Sequence, residues 1–144
     1  MAAYNKTNVL FPVDATYIAG LIDGEGTVTM SRKHKNDNRQ LVISISNTES
    51  PLLEYVLEKA GAGKITRKKI YKENHTPSMT YTISNRQALD LLTQITPYLQ
   101  TYKKQRAQLI LENYIRVTPR NGKYTESLAL EREIFIREFF DIHP

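Results

Sequence analysis

Ile18-Ala19-Gly20-Leu21-Ile22-Asp23-Gly24-Glu25-Gly26 is the most informative stretch of this 144-residue chain. With the residues before it, Ala15 to Ile22 reads as a short helix. The segment is nearly all apolar and rich in small side chains, which predicts burial on more than one face. Asp14 stands where an N-cap would, and the two glycines of Asp23-Gly24-Glu25-Gly26 read as a turn. A helix that ends on carboxylates sets negative charge against the negative end of its own macrodipole. That placement points to a cation, and oxygen ligands suit a hard divalent metal. Ala15, Ala19 and Gly20 would allow a second helix to approach closely. In a chain with one such helix, the partner would be the same helix of a second copy, and a two-fold axis would bring two sets of carboxylates together.

Working outward, Thr27 to Lys33 and Gln40 to Ser46 alternate polar and apolar across a polar tip, His34 to Asn38. This is a hairpin. Val28 and Met30 share a face with Leu41, Ile43 and Ile45 turned inward on the second strand, while Thr29, Ser31, Lys33, Gln40, Ser44 and Ser46 point the other way. Asn47 to Pro51 carries helix-start chemistry with an early proline, and the helix after it stops at Gly61-Ala62-Gly63. A second hairpin pairs Lys64–Lys72 with Ser78–Ser84. Helices follow at Asn85–Ile95, Thr101–Val117 and Leu128–Phe140, with Pro97 and the Thr118–Gly122 loop between them. Residues 1–12 form a short arm. The order is α-β-β-α-β-β-α-α-α, an α+β fold in which helices cover one face of an antiparallel sheet and leave a Thr-, Ser-, Gln- and Lys-bearing face open.

Composition narrows the function. Lys and Arg number 20 against 15 Asp and Glu, for a net charge of +5 and a calculated isoelectric point of 9.4. From Met30 to Lys72 there are ten basic and four acidic residues, and from Tyr124 to Pro144 two and five. The hairpins thus suit a polyanion and the C-terminal end does not. Cysteine is absent, which excludes disulfides, thiolate zinc sites and cysteine nucleophiles. His34, His75 and His143 are not spaced as a zinc pair. No phosphate loop, dinucleotide fingerprint or nucleophile elbow is present. With no apolar run long enough to span a membrane and no secretory signal, the expectation is a soluble intracellular protein of one domain, 1–144, with 118–144 as a helical extension.

The nine-residue stretch resembles the signature of the LAGLIDADG homing endonucleases, and the element order resembles that family's αββαββα core with its saddle-shaped sheet. The resemblance covers about residues 10–115. It implies a homodimer, since single-motif chains pair their motif helices at the centre. It implies Mg²⁺ at Glu25, assisted by the Gly24 carbonyl, with Asp23 either touching metal or capping structurally. Mn²⁺ would substitute, and Ca²⁺ would bind without supporting cleavage. No organic cofactor is expected. Asn47 stands where the family often has Gln, and the usual lysine position falls on Tyr102, so that Lys103 or Lys104 would serve instead. The implied activity is a metal-assisted double-strand break in a long, near-palindromic DNA target, read by the sheets in the major groove. The reading residues would be Thr29, Ser31, Lys33, Gln40, Ser44 and Ser46, with Lys35, Asn36, Asn38 and Arg39 of the tip. Thr66, Arg67, Lys68, Lys72, Thr80 and Thr82 of the second hairpin would join them. Arg67 falls on the nominal core side of its strand. Lys and Arg suit guanine, Gln and Asn adenine, and Thr a thymine methyl. A non-cleaving RNA maturase or DNA-binding regulator on the same fold is the rival reading, and a structural dimerisation module the third.

Overall fold

The computed structural model describes residues 5–67 and 77–144. Lys68, Lys72 and His75 lie outside the described residues. Helix α1 spans Pro12–Glu25, strand β1 Gly26–Ser31 and β2 Gln40–Asn47. Helix α2 covers Ser50–Ala60, followed by β3 (Lys64–Arg67) and β4 (Met79–Ser84). Helix α3 (Asn85–Ile95) leads through a 3₁₀ turn, Thr96–Tyr98, to α4 (Tyr102–Asn113) and finally α5 (Glu126–Asp141). The four described strands form one antiparallel sheet in the order β1-β2-β4-β3. Helices α1 to α4 pack on one face of it.

Several boundaries differ from the sequence reading, and three of the differences bear on the site. Helix α1 begins at Pro12, not Ala15. Proline at the first helical position has a preset φ and no N–H to waste, and Phe11 takes the cap position without a side-chain bond. Asp14 is therefore no cap; its carboxylate accepts from the Tyr55 hydroxyl at 2.5 Å. Desolvation, with that bond second, pushes the Tyr55 phenol up to about 12. Second, Asp23 to Glu25 continue the helix, which runs directly into β1. Third, α4 ends at Asn113 rather than Val117. The glycine stop after α2 is as expected: Gly61 adopts φ +67 at the helix C-cap.

The alternation on the strands is observed. Val28, Met30, Leu41, Ile43, Ile45, Tyr81 and Ile83 are buried against the helices. Ile18 and Ile22 of α1 are fully buried over them, each contributing about 1.5–3 kcal/mol relative to exposure. Gly26 makes the direct helix-to-strand passage possible. A Cβ there would stand 2.8 Å from the Ile22 Cα and 3.0 Å from the Ser44 carbonyl oxygen, both backbone atoms that cannot rotate away. Gly26→Ala should therefore destabilise the fold by about 1–3 kcal/mol, read as a lower urea midpoint at an unchanged slope.

The arm is strapped down at residues 5–10. The Gln94 side chain accepts from the Leu10 N–H at 2.6 Å and donates to the Asn8 carbonyl at 2.9 Å. The Asn8 N–H bonds the Ala60 carbonyl at 2.8 Å. Val9 and Phe11 are left exposed beside the start of α1.

Candidate active site and nucleic-acid face

The site is built on the last turn of α1. Glu25 ends the helix, and Glu25 and Gly24 are both exposed. A helix end leaves carbonyls without intrahelical partners; here a lysine from another helix binds the Asp23 carbonyl and shares the Ile22 carbonyl with the Gly26 N–H. The Lys103 ammonium donates to the Ile22 carbonyl at 2.8 Å and to the Asp23 carbonyl at 2.9 Å. A cation at this position also offsets the negative end of the α1 dipole. Burial pulls the Lys103 ammonium below its ordinary value; Asp23 opposes that and Arg106 adds to it. Lys104, one position on, lies over the 3₁₀ turn, with its ammonium 3.5 Å from the Pro97 carbonyl. Of the two lysines, it is Lys103 that reaches the end of α1.

Asp23 closes the same junction from the other side. Its carboxylate accepts from the Gln100 N–H at 2.8 Å, the Thr101 N–H at 3.2 Å and the Thr101 hydroxyl at 2.6 Å. Both oxygens are thus engaged at the start of α4, where Asp23 works as a capping group. Burial alone would raise its carboxyl. The bonds from Thr101 and Gln100, with the Lys103 charge, outweigh burial and hold it below the ordinary 3.8. A carboxyl with a lowered folded pKa stabilises above its unfolded value and loses that contribution as pH falls through the folded value. Asp23→Asn should therefore cost about 1–2 kcal/mol at pH 7, in the range of a lost cap. The gap to the parent should shrink in denaturation curves taken below about pH 3.8.

Asn47 ends β2 and pairs with Met79. Gly26 pairs with Ile45, so Asn47 lies two residues further along, about 7 Å past the start of β1. That puts it at the same end of the sheet as Glu25. It is not the cap of α2, a position held by Glu49. Its carboxamide oxygen accepts from the Glu49 N–H at 2.8 Å and shapes the turn into α2.

The open sheet face is organised in rows by the register. Thr27, Ser44, Thr82 and Lys64 form one row; Ser46, Thr80 and Thr66 form another; Thr29, Val42 and Ser84 a third; Ser31 faces Gln40. Hydroxyl pairs tie neighbours together, Thr27 to Ser44 at 2.7 Å and Ser46 to Thr80 at 2.8 Å. Lys33, Lys35, Asn36 and Asn38 are exposed on the tip, and a groove of about 630 Å³ opens between the tip and Lys64. Lys64 and Ser84 join the face without having been named from the sequence, because strand register sets those neighbours, while Thr27 follows from its parity with Thr29. Arg67 falls on the helix-side parity of β3, opposite Met79, at an exposed strand end.

Arg39 does not belong to this face. It has the parity of Leu41, and its guanidinium bonds the Met30 carbonyl at 3.0 Å and lies 4.9 Å from the Phe140 ring centre. Two further arginines tie the C-terminal helix to the core. Arg132, 5% exposed, bonds the Val117 carbonyl and Thr118 hydroxyl, each at 2.8 Å, and the Arg39 carbonyl. Arg106 reaches the Ile142 and Val28 carbonyls at 2.7 and 3.1 Å. Nothing in their sequence context sets them apart from solvated basic residues.

The exposed surface of α1 also differs from expectation. Ala15 and Ala19 are 3% and 0% exposed, packed into their own core. A helical step of three or four residues from the exposed Gly20 falls on Thr16, Tyr17, Asp23 and Gly24, not on the alanines. The exposed stripe is Val13, Thr16, Tyr17, Gly20 and Gly24. Nothing lies within 4 Å of a Cβ built on Gly20 or Gly24.

The sequence profile of the LAGLIDADG endonucleases matches residues 18–125. The chain belongs to the LAGLIDADG endonuclease family. Solved LAGLIDADG structures share its fold. The homing endonuclease I-CvuI, in complex with its target in the presence of 2 mM Ca, superposes with a TM-score of 0.73 at 16% identity, over 92% of this chain and 83% of that one. The archaeal intron-encoded homing endonuclease I-Vdi141I, complexed with DNA, gives 0.68 at 19% identity over 92% and 85%. The group I intron-encoded I-CeuI, also complexed with DNA, gives 0.61 at 15% over 92% and 68%. A sequence search of curated proteins returns no match. Among the described residues, no helix is long and apolar enough to cross a membrane.

Proposed function

We propose that this LAGLIDADG chain acts as a homodimer that binds a long, near-palindromic DNA duplex and breaks both strands. One observation carries the reading. A single helix presents an open glycine stripe, Gly20 and Gly24, and ends on the exposed Glu25 at the border of a polar, basic sheet face. Packing two such helices across a two-fold axis sets two Glu25 side chains side by side and two sheets outward along one duplex. The DNA named with the related structures agrees with this use of the face. All of 1–144 belongs to one domain in this reading, since Arg106 and Arg132 bind the C-terminal segment to the sheet and its hairpin.

The residues fit a divalent metal. Glu25 and Gly24 offer a carboxylate and a carbonyl at an exposed helix end, the oxygen chemistry that Mg²⁺ takes. This reading leaves Asp23 out of that set, because its carboxylate already accepts three hydrogen bonds at the start of α4. Among the described residues, no three His, Cys, Asp or Glu side chains converge, so phosphate oxygens and the second copy would complete the ligand shell. When bound, such a cation supplies Lewis-acid stabilisation of charge building on the scissile phosphate. The protein's own part is positional. Lys103 and Asp23 fix the last turn of α1 against α4, and so fix where Glu25 stands. Asn47, its oxygen engaged by Glu49, brings an NH₂ donor to the same end of the sheet. Mn²⁺ is expected to replace Mg²⁺, and Ca²⁺ to support binding without cleavage.

The test is a cleavage selection from a randomised duplex library in Mg²⁺ and, separately, in Ca²⁺. Double-strand breaks at one long, near-palindromic site in Mg²⁺ alone are expected. Specific binding in both ions without breaks would replace the nuclease with a DNA-binding regulator. The absence of any DNA enrichment would make RNA the next ligand to try.

A further inference from the structure

We propose that Gln40 meets its base pair as a hydrogen-bond donor, in an orientation imposed by Asn85 and Tyr114, and therefore selects guanine rather than adenine. This rests on the reading of the open sheet face as a DNA-recognition surface. An unconstrained glutamine presents one donor and one acceptor and suits adenine. Gln40 is exposed on that face but is not unconstrained, because its carboxamide oxygen accepts from the Asn85 Nδ2 at 3.3 Å.

The polarity can be traced to a group that cannot reverse. The backbone N–H of Leu41 donates to the Tyr114 hydroxyl oxygen at 3.3 Å. Tyr114 is 1% exposed, so water cannot serve its hydroxyl proton. That proton goes to the Asn85 Oδ1 at 3.0 Å. Reversing the Asn85 amide would leave a buried hydroxyl proton unpaired, which is costly. It would also aim the asparagine oxygen at Gln40. Asn85 itself is held by its backbone, at φ +57, a left-handed conformation that asparagine tolerates better than most residues. Its Nδ2 therefore faces Gln40, the Gln40 oxygen is drawn to it, and the two hydrogens of Nε2 turn outward. Guanine presents two acceptors, N7 and O6, to such a donor pair, whereas adenine and cytosine each present an amino group.

The test is a binding selection from a randomised duplex pool with Ca²⁺ as the only divalent ion. It compares the parent with Gln40→Glu and Asn85→Gly. Glycine adopts φ +57 without strain, so Asn85→Gly removes the amide and keeps the turn; circular dichroism checks the fold. The parent should favour guanine over adenine and cytosine about tenfold at one pair per half-site, the scale of about 1.4 kcal/mol. Gln40→Glu should move that pair alone to cytosine, whose N4 a carboxylate accepts from. Asn85→Gly should reduce the guanine preference to about twofold at that pair alone, as expected of an amide free to reverse. An adenine or cytosine preference in the parent would overturn the inference. So would an Asn85→Gly profile identical to the parent's, or a Gln40→Glu profile altered at no pair. A pool without enrichment would overturn the DNA reading itself, and this inference with it.

Discussion

Glu25→Gln should abolish DNA cleavage while leaving the fold, the dimer and target binding in place. The substitution removes one charge and almost no volume from an exposed position at the end of α1, so the core is untouched. In fact it relieves a carboxylate at the negative end of a helix, an arrangement that costs about 0.3–1 kcal/mol. Stability should therefore hold or rise slightly. The loss falls on chemistry. Outer partners of a bound metal typically cost about 10–100-fold when removed, so a direct ligand sets a loss of at least about 100-fold in the cleavage rate. Measured on the site recovered in the selection, single-turnover cleavage by Glu25→Gln in Mg²⁺ should fall by that factor or more, with an unchanged dissociation constant in Ca²⁺. Retention of full cleavage would remove Glu25 from the metal set. Loss of binding along with cleavage would mean that the carboxylate organises the DNA face rather than the reaction.

The parts of this site that were legible in the sequence are those governed by local periodicity. Strand alternation has a period of two whatever the register, so the faces of β1 and β2 followed from the residue order. Arg39 obeys the same rule: its parity with Leu41 turns it toward the helices, and its place in a polar tip hides that. Glycine was harder. Gly24 and Gly26 read as a turn, yet the helix runs through Gly24, and Gly26 is needed because backbone atoms of Ile22 and Ser44 crowd the place where its Cβ would be. A glycine required by close approach and one required by a turn look the same in a sequence. The choice between Lys103 and Lys104 was likewise invisible. Neighbouring helical positions differ by about 100° in direction, and the phase of α4 is set by Asp23 holding Gln100 and Thr101 from another element. The guanidinium contacts of Arg106 and Arg132 are long-range too, joining residues up to 93 positions apart.

The glycine stripe on α1 supplies the other large expected effect. Gly20→Arg should separate the dimer without harming the subunit. A side chain on Gly20 meets nothing within 4 Å in the single chain, and arginine is a better helix former than glycine by up to about 1 kcal/mol. The isolated subunit should therefore keep or gain stability. Across a two-fold seam, each substitution is met twice, once on either copy. Two guanidinium groups would then stand where the proposed seam sets two glycines. Ordinary helix pairs already sit about 8–10 Å apart, and a glycine seam has no room for a long side chain. Like charges brought together out of water add to the cost. Dimer association should weaken at least about 100-fold, or about 2.7 kcal/mol, measured by sedimentation over a concentration series. Thermal unfolding should be unchanged or slightly later at concentrations where both proteins are monomeric. Double-strand cleavage should fall with the dimer population, since each copy carries one Glu25. Should Gly20→Arg assemble as the parent does, the dimer seam would lie elsewhere, with Val9 and Phe11 of the exposed arm the next surface to substitute.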